Sequence, residues 1–250
     1  MSNQTETVLI TGASTGIGFA AARAFLDRGS NLVLNSRDPG RLEAAYEALG
    51  RPDNAVLVAG DVSDKAVGQR MVDAALEKFG RVDVLVNNAG VFATTPFLEI
   101  EEAELDRFLS INFKGTYFTS QAAIAVMRTQ GGGAVINVGS VLVDHAIGGV
   151  PATAPISTKG AIHALTVQLA AEFAKDNIRV NTVAPGIVRT PMHPRNGIEN
   201  TDALAGLHLL GRVGEAEEVA DAILHLAAAK VTTGVVYPLD GGHTAGHHFG

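Results

Sequence analysis

Seven short apolar runs alternating with six longer amphipathic stretches predict an α/β protein, a doubly wound seven-stranded parallel sheet in three αβα layers. The runs are Val8–Ile10, Leu32–Leu34, Ala55–Val58, Val82–Val86, Ala134–Val138, Arg179–Val183 and Val235–Leu239. Each is rich in Val, Ile or Leu, as strands covered on both faces must be. The helical stretches are Gly18–Arg28, Gly40–Leu49, Lys65–Phe79, Glu101–Met127, Ser157–Lys175 and Ala216–Ala228. Gly131–Gly133 reads as a helix-to-strand turn, and no linker or repeat divides the chain, so residues 1–250 read as a single domain. Thr190–Leu210 is the segment of loosest pattern. It reads as a substrate lid or, equally, as an ordinary surface loop.

Composition narrows the partners. A formal net charge of −7 argues against a nucleic-acid surface. The absence of cysteine excludes disulfides and thiolate metal sites, no metal site is expected, and a reducing cytoplasm suits the chain. No apolar run approaches the roughly 20 residues of a membrane span. The short polar start, Met1–Thr7, does not fit a signal peptide. The expected partner is a small molecule.

The first strand ends in Thr11-Gly12-Ala13-Ser14-Thr15-Gly16-Ile17-Gly18. Glycines at this spacing let the backbone turn tightly and approach a pyrophosphate, which the free N–H groups of the following helix then meet. A turn that binds nothing is the plainer reading, but the strand–turn–helix context makes the fold Rossmann-like. The second strand ends in Asn35-Ser36-Arg37. An acidic residue here would take the ribose 2′-hydroxyl and repel a 2′-phosphate. A small hydroxyl followed by a guanidinium favours NADP(H) over NAD(H), unless Arg37 is only a solvated charge. Asp61-Val62 after the third strand faces the crevice, where the carboxylate suits an adenine amino group; taken alone, Asp61 reads as a helix cap. Asn88, Ala89 and Gly90 after the fourth strand allow close backbone approach.

With these residues the chain resembles the short-chain dehydrogenase/reductase family from Thr7 to Gly242. Thr11–Gly18 is similar to its glycine motif and Asn87–Gly90 to its Asn-Asn-Ala-Gly motif. Asn112 matches the asparagine of the active-site helix, Ser140 the catalytic serine and Lys159 the catalytic lysine. Pro185-Gly186-Ile187-Val188-Arg189-Thr190 matches the nicotinamide-side turn, and Asp240-Gly241-Gly242 the end of the last strand. The resemblance implies hydride transfer at a carbonyl. Serine would hold the oxygen, asparagine would order a water relay, and lysine would bind ribose and lower the pKa of a tyrosine four residues before it. It also implies a homotetramer. The helices Glu101–Met127 and Ser157–Lys175, apolar around much of their circumference, would lie in an interface.

The residue four before Lys159 is Pro155, and no tyrosine lies between Ser140 and Lys159. Thr153, reached by counting from Ser140, is a far weaker acid than a phenol. His145, five residues after Ser140 with Asp144 beside it, is the leading replacement donor, although a solvated loop histidine is the plainer reading. His163 reads as packed or surface, and His193 lies in the lid segment. Three functions stay open. The chain is an NADP(H)-dependent oxidoreductase with another proton source, acting on a small or medium carbonyl, alcohol or imine. It is a non-redox enzyme on the same scaffold. Or it is a dinucleotide-binding protein without turnover.

Overall fold

The computed structural model describes residues 5–248. In chain order its elements begin β1 (Thr7–Ile10), α1 (Gly16–Asp27), β2 (Asn31–Ser36), α2 (Pro39–Ala48), β3 (Ala55–Ala59), α3 (Lys65–Phe79) and β4 (Val84–Asn87). They continue with α4 (Glu102–Phe108), α5 (Gly115–Gln130), β5 (Gly133–Val138), α6 (Thr153–Glu172) and β6 (Ile178–Pro185). The chain closes with β7 (Val188–Arg189), α7 (Met192–Arg195), β8 (Gly214–Glu215), α8 (Ala216–Ala228) and β9 (Val236–Leu239). Seven strands form one sheet in the order β3-β2-β1-β4-β5-β6-β9, every pair parallel. The order reverses between β1 and β4, and at that switch point a crevice opens beyond the strands' carboxyl ends. β7 and β8 pair separately.

Two apolar layers cover the sheet. Phe25, Leu42 and Ile223, from α1, α2 and α8, pack on one face with Ile10, Leu34 and Ile136. Met71, Ile124 and Ala170, from α3, α5 and α6, pack on the other with Leu9, Leu85 and Val135. A buried polar chain crosses three neighbouring strands: Asn87 Nδ2 donates to Asn137 Oδ1 at 2.9 Å, and Asn137 Nδ2 to Thr166 Oγ1 at 2.9 Å. Thr166 in turn bonds Thr182 at 2.7 Å. Among the described residues no helix is long and apolar enough to cross a membrane.

Two helices depart from the sequence reading. The stretch expected as one helix, Glu101–Met127, is α4 and α5 joined by a π-helical turn at Leu109–Lys114 that contains Asn112. The second, expected from Ser157, begins at Thr153 and takes in Pro155. Proline removes no bond there, because the first four N–H groups of a helix have no intrahelical acceptor. Asp64, not Asp61, caps α3, accepting from Ala66 N at 3.0 Å.

One surface pair makes stability depend on pH. Arg212 donates to both carboxylate oxygens of Glu218, at 2.8 and 2.6 Å, and Glu215 N adds a bond of 2.9 Å. The guanidinium first, then the backbone N–H, holds the Glu218 pKa at about 2 instead of 4.5. A depressed carboxylate pKa stabilises the fold above the unfolded value, and that gain is lost as pH falls from about 4.5 towards about 2. The pair is exposed, so the gain is about 1 kcal/mol or less. Glu218→Gln should lower the melting temperature at pH 6 and leave it unchanged near the acid limit. Equal melting differences at both pH values would show that the ion pair contributes nothing.

Candidate active site

The crevice is a cavity of about 460 Å³ running from the β2–β3 end of the sheet, across the switch point, to β5, α6 and the segment after β7. Every cofactor-site position read from the sequence lies in its wall except Gly18. Gly18 lies behind the turn, where a Cβ would stand 2.3 Å from Gly12 O and 2.4 Å from Asn88 Nδ2. Gly12 and Gly16 take the left-handed conformation, φ +65° and +56°. Thr15, which precedes α1, makes no side-chain cap, so the first-turn N–H groups remain free for a ligand. Asn88 pins the turn from β4, donating to Thr11 O at 3.0 Å and Gly12 O at 3.1 Å.

At the β2 end, Ser36 and Ser14 bond each other at 3.0 Å, and Arg37 stands beside them, with an exposed contact of 3.7 Å to Asp61. Such a loose pair is worth little and yields to a better partner. Arg41 also lines this end and was missed in the sequence. Its signal was the spacing, one helical turn beyond Arg37. Asp38, between them, accepts from Arg41 N at 3.1 Å as the cap of α2, which ties down the one carboxylate adjoining Arg37 in sequence. The glycine cradle and the uncapped helix fit the pyrophosphate of a dinucleotide.

At the other end, Ser140 leaves β5 and starts a 3-10 turn, Val141–Val143; its Oγ accepts from Leu142 N at 3.2 Å, leaving its O–H to point elsewhere. Lys159 Nζ donates to Val138 O at 2.7 Å, and Gly90 faces it so closely that a Cβ there would stand 3.5 Å from Nζ. The ammonium is enclosed by protein although the residue keeps some exposure to the cavity, and burial alone pulls its pKa down to about 8. Pro155 is buried in the same wall, one turn before Lys159. Asn112 lies beneath the wall, wholly buried. Its Oδ1 accepts from Val91 N at 2.8 Å, and its Nδ2 donates to Val91 O and Thr158 Oγ1, both at 3.0 Å. Thr158 Oγ1 donates onward to Pro155 O at 2.6 Å.

The structure does not bring His145 to this group. Its exposed ring stacks edge-on against His243 at 4.9 Å and is absent from the cavity wall. The 3-10 turn after Ser140 carries the chain outward there, with His145 N bonded to Val141 O. Thr153 is exposed at the start of α6, and His163 is buried against Gly139 behind the site. His193 does line the cavity; its Nδ1 is buried with no partner among the described residues, and burial lowers its pKa. The 190–210 segment lies over this end and contributes Met192, Ile198 and Leu207 to the wall. His208, another residue the sequence reading missed, anchors it: Nε2 accepts from Ile187 N at 3.0 Å and Nδ1 bonds Arg212 O at 2.8 Å. Gly186 and Gly241, where a Cβ would stand within 2.7 and 2.8 Å of that ring, were the available signal.

Fold and cavity define a Rossmann-type α/β protein with its ligand crevice at the topological switch point. The family model described as enoyl-(acyl carrier protein) reductase matches residues 12–244. The chain is 35% identical over 242 residues to a 3α-hydroxysteroid dehydrogenase of Mediterraneibacter gnavus, covering 94% of this chain and 96% of that protein. It is 37% identical over 246 residues to an L-rhamnose 1-dehydrogenase (NAD(P)(+)) of a Sphingomonas species, covering 95% of each. The crystal structure of levodione reductase superimposes with a TM-score of 0.90 at 32% identity, covering 97% of this chain and 98% of that one. The chain belongs to the short-chain dehydrogenase/reductase family and is an oxidoreductase of that family, which works with nicotinamide dinucleotides.

Proposed function

We propose that the protein is an NADP(H)-dependent oxidoreductase of a small or medium carbonyl, alcohol or imine, with a proton source other than a phenol. The observation that carries this reading is one continuous cavity. It joins the glycine turn and the Arg37–Arg41 pair to Ser140 and Lys159, with Pro155 in the wall between. A bound nicotinamide dinucleotide supplies or accepts the hydride. Gly12, Gly16 and the start of α1 cradle its pyrophosphate, Asp61 takes the adenine amino group, and Arg37 with Arg41 takes the 2′-phosphate. Lys159 holds the nicotinamide ribose beside the Pro185–Thr190 turn, Ser140 donates to the substrate oxygen, and Asn112 fixes the loop at Val91 beneath them.

The substrate end favours an apolar molecule without charge. Leu142, Ile147, Val150, Ile156 and Leu204 line it, and a polyol would leave its hydroxyls facing hydrocarbon there. NADPH oxidation followed by absorbance over a panel of cyclic ketones, imines and sugars tests the reading. Firm NADPH binding with no oxidation by any of them would overturn it in favour of a non-redox enzyme or a binding protein. The assembly we infer is a homotetramer in a reducing cytoplasm, with the outer faces of α5 and α6, where Tyr117 and Val167 are exposed, in an interface. A monomer by light scattering at micromolar concentration would overturn that part.

Arg37→Ala should weaken NADPH binding by about 1.5–3 kcal/mol, the worth of a charged hydrogen bond, and NADH binding far less. Isothermal titration with both cofactors decides. An equal loss for the two would show that Arg37 does not read the 2′-phosphate.

A further inference from the structure

Among the described residues the cavity wall contains no phenol. Tyr46 is tied to Pro52 O on α2, while Tyr117 and Tyr237 are half-exposed on α5 and β9. Its ionisable groups among the described residues are Arg37, Asp38, Arg41 and Asp61 at the β2–β3 end, and Lys159 and His193 at the other. Of these, Lys159 is the one tied to the strand end that carries Ser140: its Nζ is bonded to Val138 O, two residues before Ser140. An ammonium has three donors, and Val138 takes one. Pro155, one turn earlier on α6, puts a ring without a donor in the same wall.

Resting on the oxidoreductase reading above, we propose that Lys159 is itself the acid and base of the reaction, exchanging a proton with the substrate oxygen directly or across one water. In reduction the carbonyl carbon gains a C–H bond, both electrons coming from the reduced nicotinamide. The C=O π pair moves to oxygen, and a Lys159 N–H bond breaks as the O–H bond forms. Solvent then reprotonates the neutral amine. In oxidation neutral Lys159 removes the hydroxyl proton as hydride leaves for the oxidised nicotinamide.

The electrostatic setting agrees. Burial, with no carboxylate partner, holds the ammonium pKa at about 8, where both protonation states are populated near neutrality. The groups packed around it add little. Gly90 and Asn112 are uncharged, and His163, one turn on along α6, has its pKa lowered by burial, against a pull from Asp144 and with a further push from Lys159. His193 on α7 is the other titrating group of the cavity wall at this end among the described residues, and its pKa lies below the ordinary imidazole value.

The test is run on the full-length enzyme with NADPH and a substrate found in the panel. Carbonyl reduction should fall as pH rises past about 8, and alcohol oxidation should rise through the same region. Lys159→Arg keeps a cation and its donors but releases no proton in this range. It should lower turnover by about 10²–10⁴-fold and remove the inflection, with NADPH affinity measured alongside because Lys159 also holds the nicotinamide ribose. If that variant loses NADPH binding, Lys159→Ala decides through added alkylamines: rescue that tracks amine pKa supports the proposal, and no rescue overturns it. Side-chain NMR of labelled lysine, assigned by the signal missing in Lys159→Arg, should show titration near 8 rather than 10.5. A lysine titrating near 10.5, turnover intact in Lys159→Arg, or an inflection removed by His193→Asn would each overturn the proposal while leaving the oxidoreductase reading in place. No NADPH oxidation with any substrate would take down the reading, and the proposal with it.

Discussion

Gly18→Ala is expected to lower the melting temperature by about 6–12 °C, the thermal equivalent of about 3 kcal/mol in a chain of this size. The added methyl would stand 2.3 Å from Gly12 O and 2.4 Å from Asn88 Nδ2. The first is backbone and cannot rotate away. The second already bonds both Thr11 O and Gly12 O, so moving it breaks the pin that holds the turn. NADPH affinity should fall with stability, because the displaced atoms form the phosphate turn. Gly29→Ala is the control: φ is +81°, but nothing lies within 4 Å of the new methyl, so it reports backbone strain alone, about 1 kcal/mol. Calorimetry of both variants decides. A Gly18→Ala protein melting as high as Gly29→Ala would show that the turn has slack the structure does not reveal.

Asn112→Leu is the second large effect, expected to destabilise by about 2–5 kcal/mol while keeping the side chain's volume. It removes the acceptor for Val91 N and the donors to Val91 O and Thr158 Oγ1, bonds made by a wholly buried amide to a half-buried loop residue and a buried hydroxyl. Two backbone groups are left orphaned, which costs more than the bonds were worth. Thr158 keeps its bond to Pro155 O, so α6 should hold its start. Asn112→Asp separates the parts: its oxygen still accepts from Val91 N, but a carboxylate cannot donate to Val91 O and resists burial. It should therefore be more stable at acid pH than at neutral pH. Urea unfolding across pH measures both, and an Asn112→Leu midpoint within about 0.5 kcal/mol of wild type would discard the clamp.

What was legible in the sequence was local. Each buried parallel strand declares itself by a run of branched apolar residues, and Gly12, Gly16 and Gly18 mark a turn that other residues cannot make. Ser140, Lys159 and Pro155 follow from motif spacing, and the structure sets them in one wall. What was not legible depended on partners distant in the chain. The π-helical turn arises because Asn112 must reach Val91 and Thr158 together, and neither is its neighbour in sequence. His145 was expected beside the site by counting from Ser140, but its exposed ring lies outside the wall, against His243, close to the far end of the chain. Arg41 enters the crevice only once α2 turns back over β2, and His208 reaches Ile187 only once the 190–210 segment has folded over the turn.

The clamp at Val91 divides the loop between β4 and α4 into two mechanical regimes. Upstream, Asn88 and Val91 are bolted to the glycine turn and to the π-helical turn, and their amides should exchange with solvent as slowly as those of a core strand although they lie in a loop. Downstream, Phe97 and Leu98 stand in solvent, with Thr95 N bonded to Pro151 O on the far bank of the entrance. On one bank the Asn112 clamp stands between the entrance and the floor; on the other, Pro151 leads directly into α6, which carries Lys159. The Phe97–Leu98 side of the rim should therefore accept lengthening, shortening or recolouring by mutation with the least effect on the floor, so that one floor can sit beneath many different mouths.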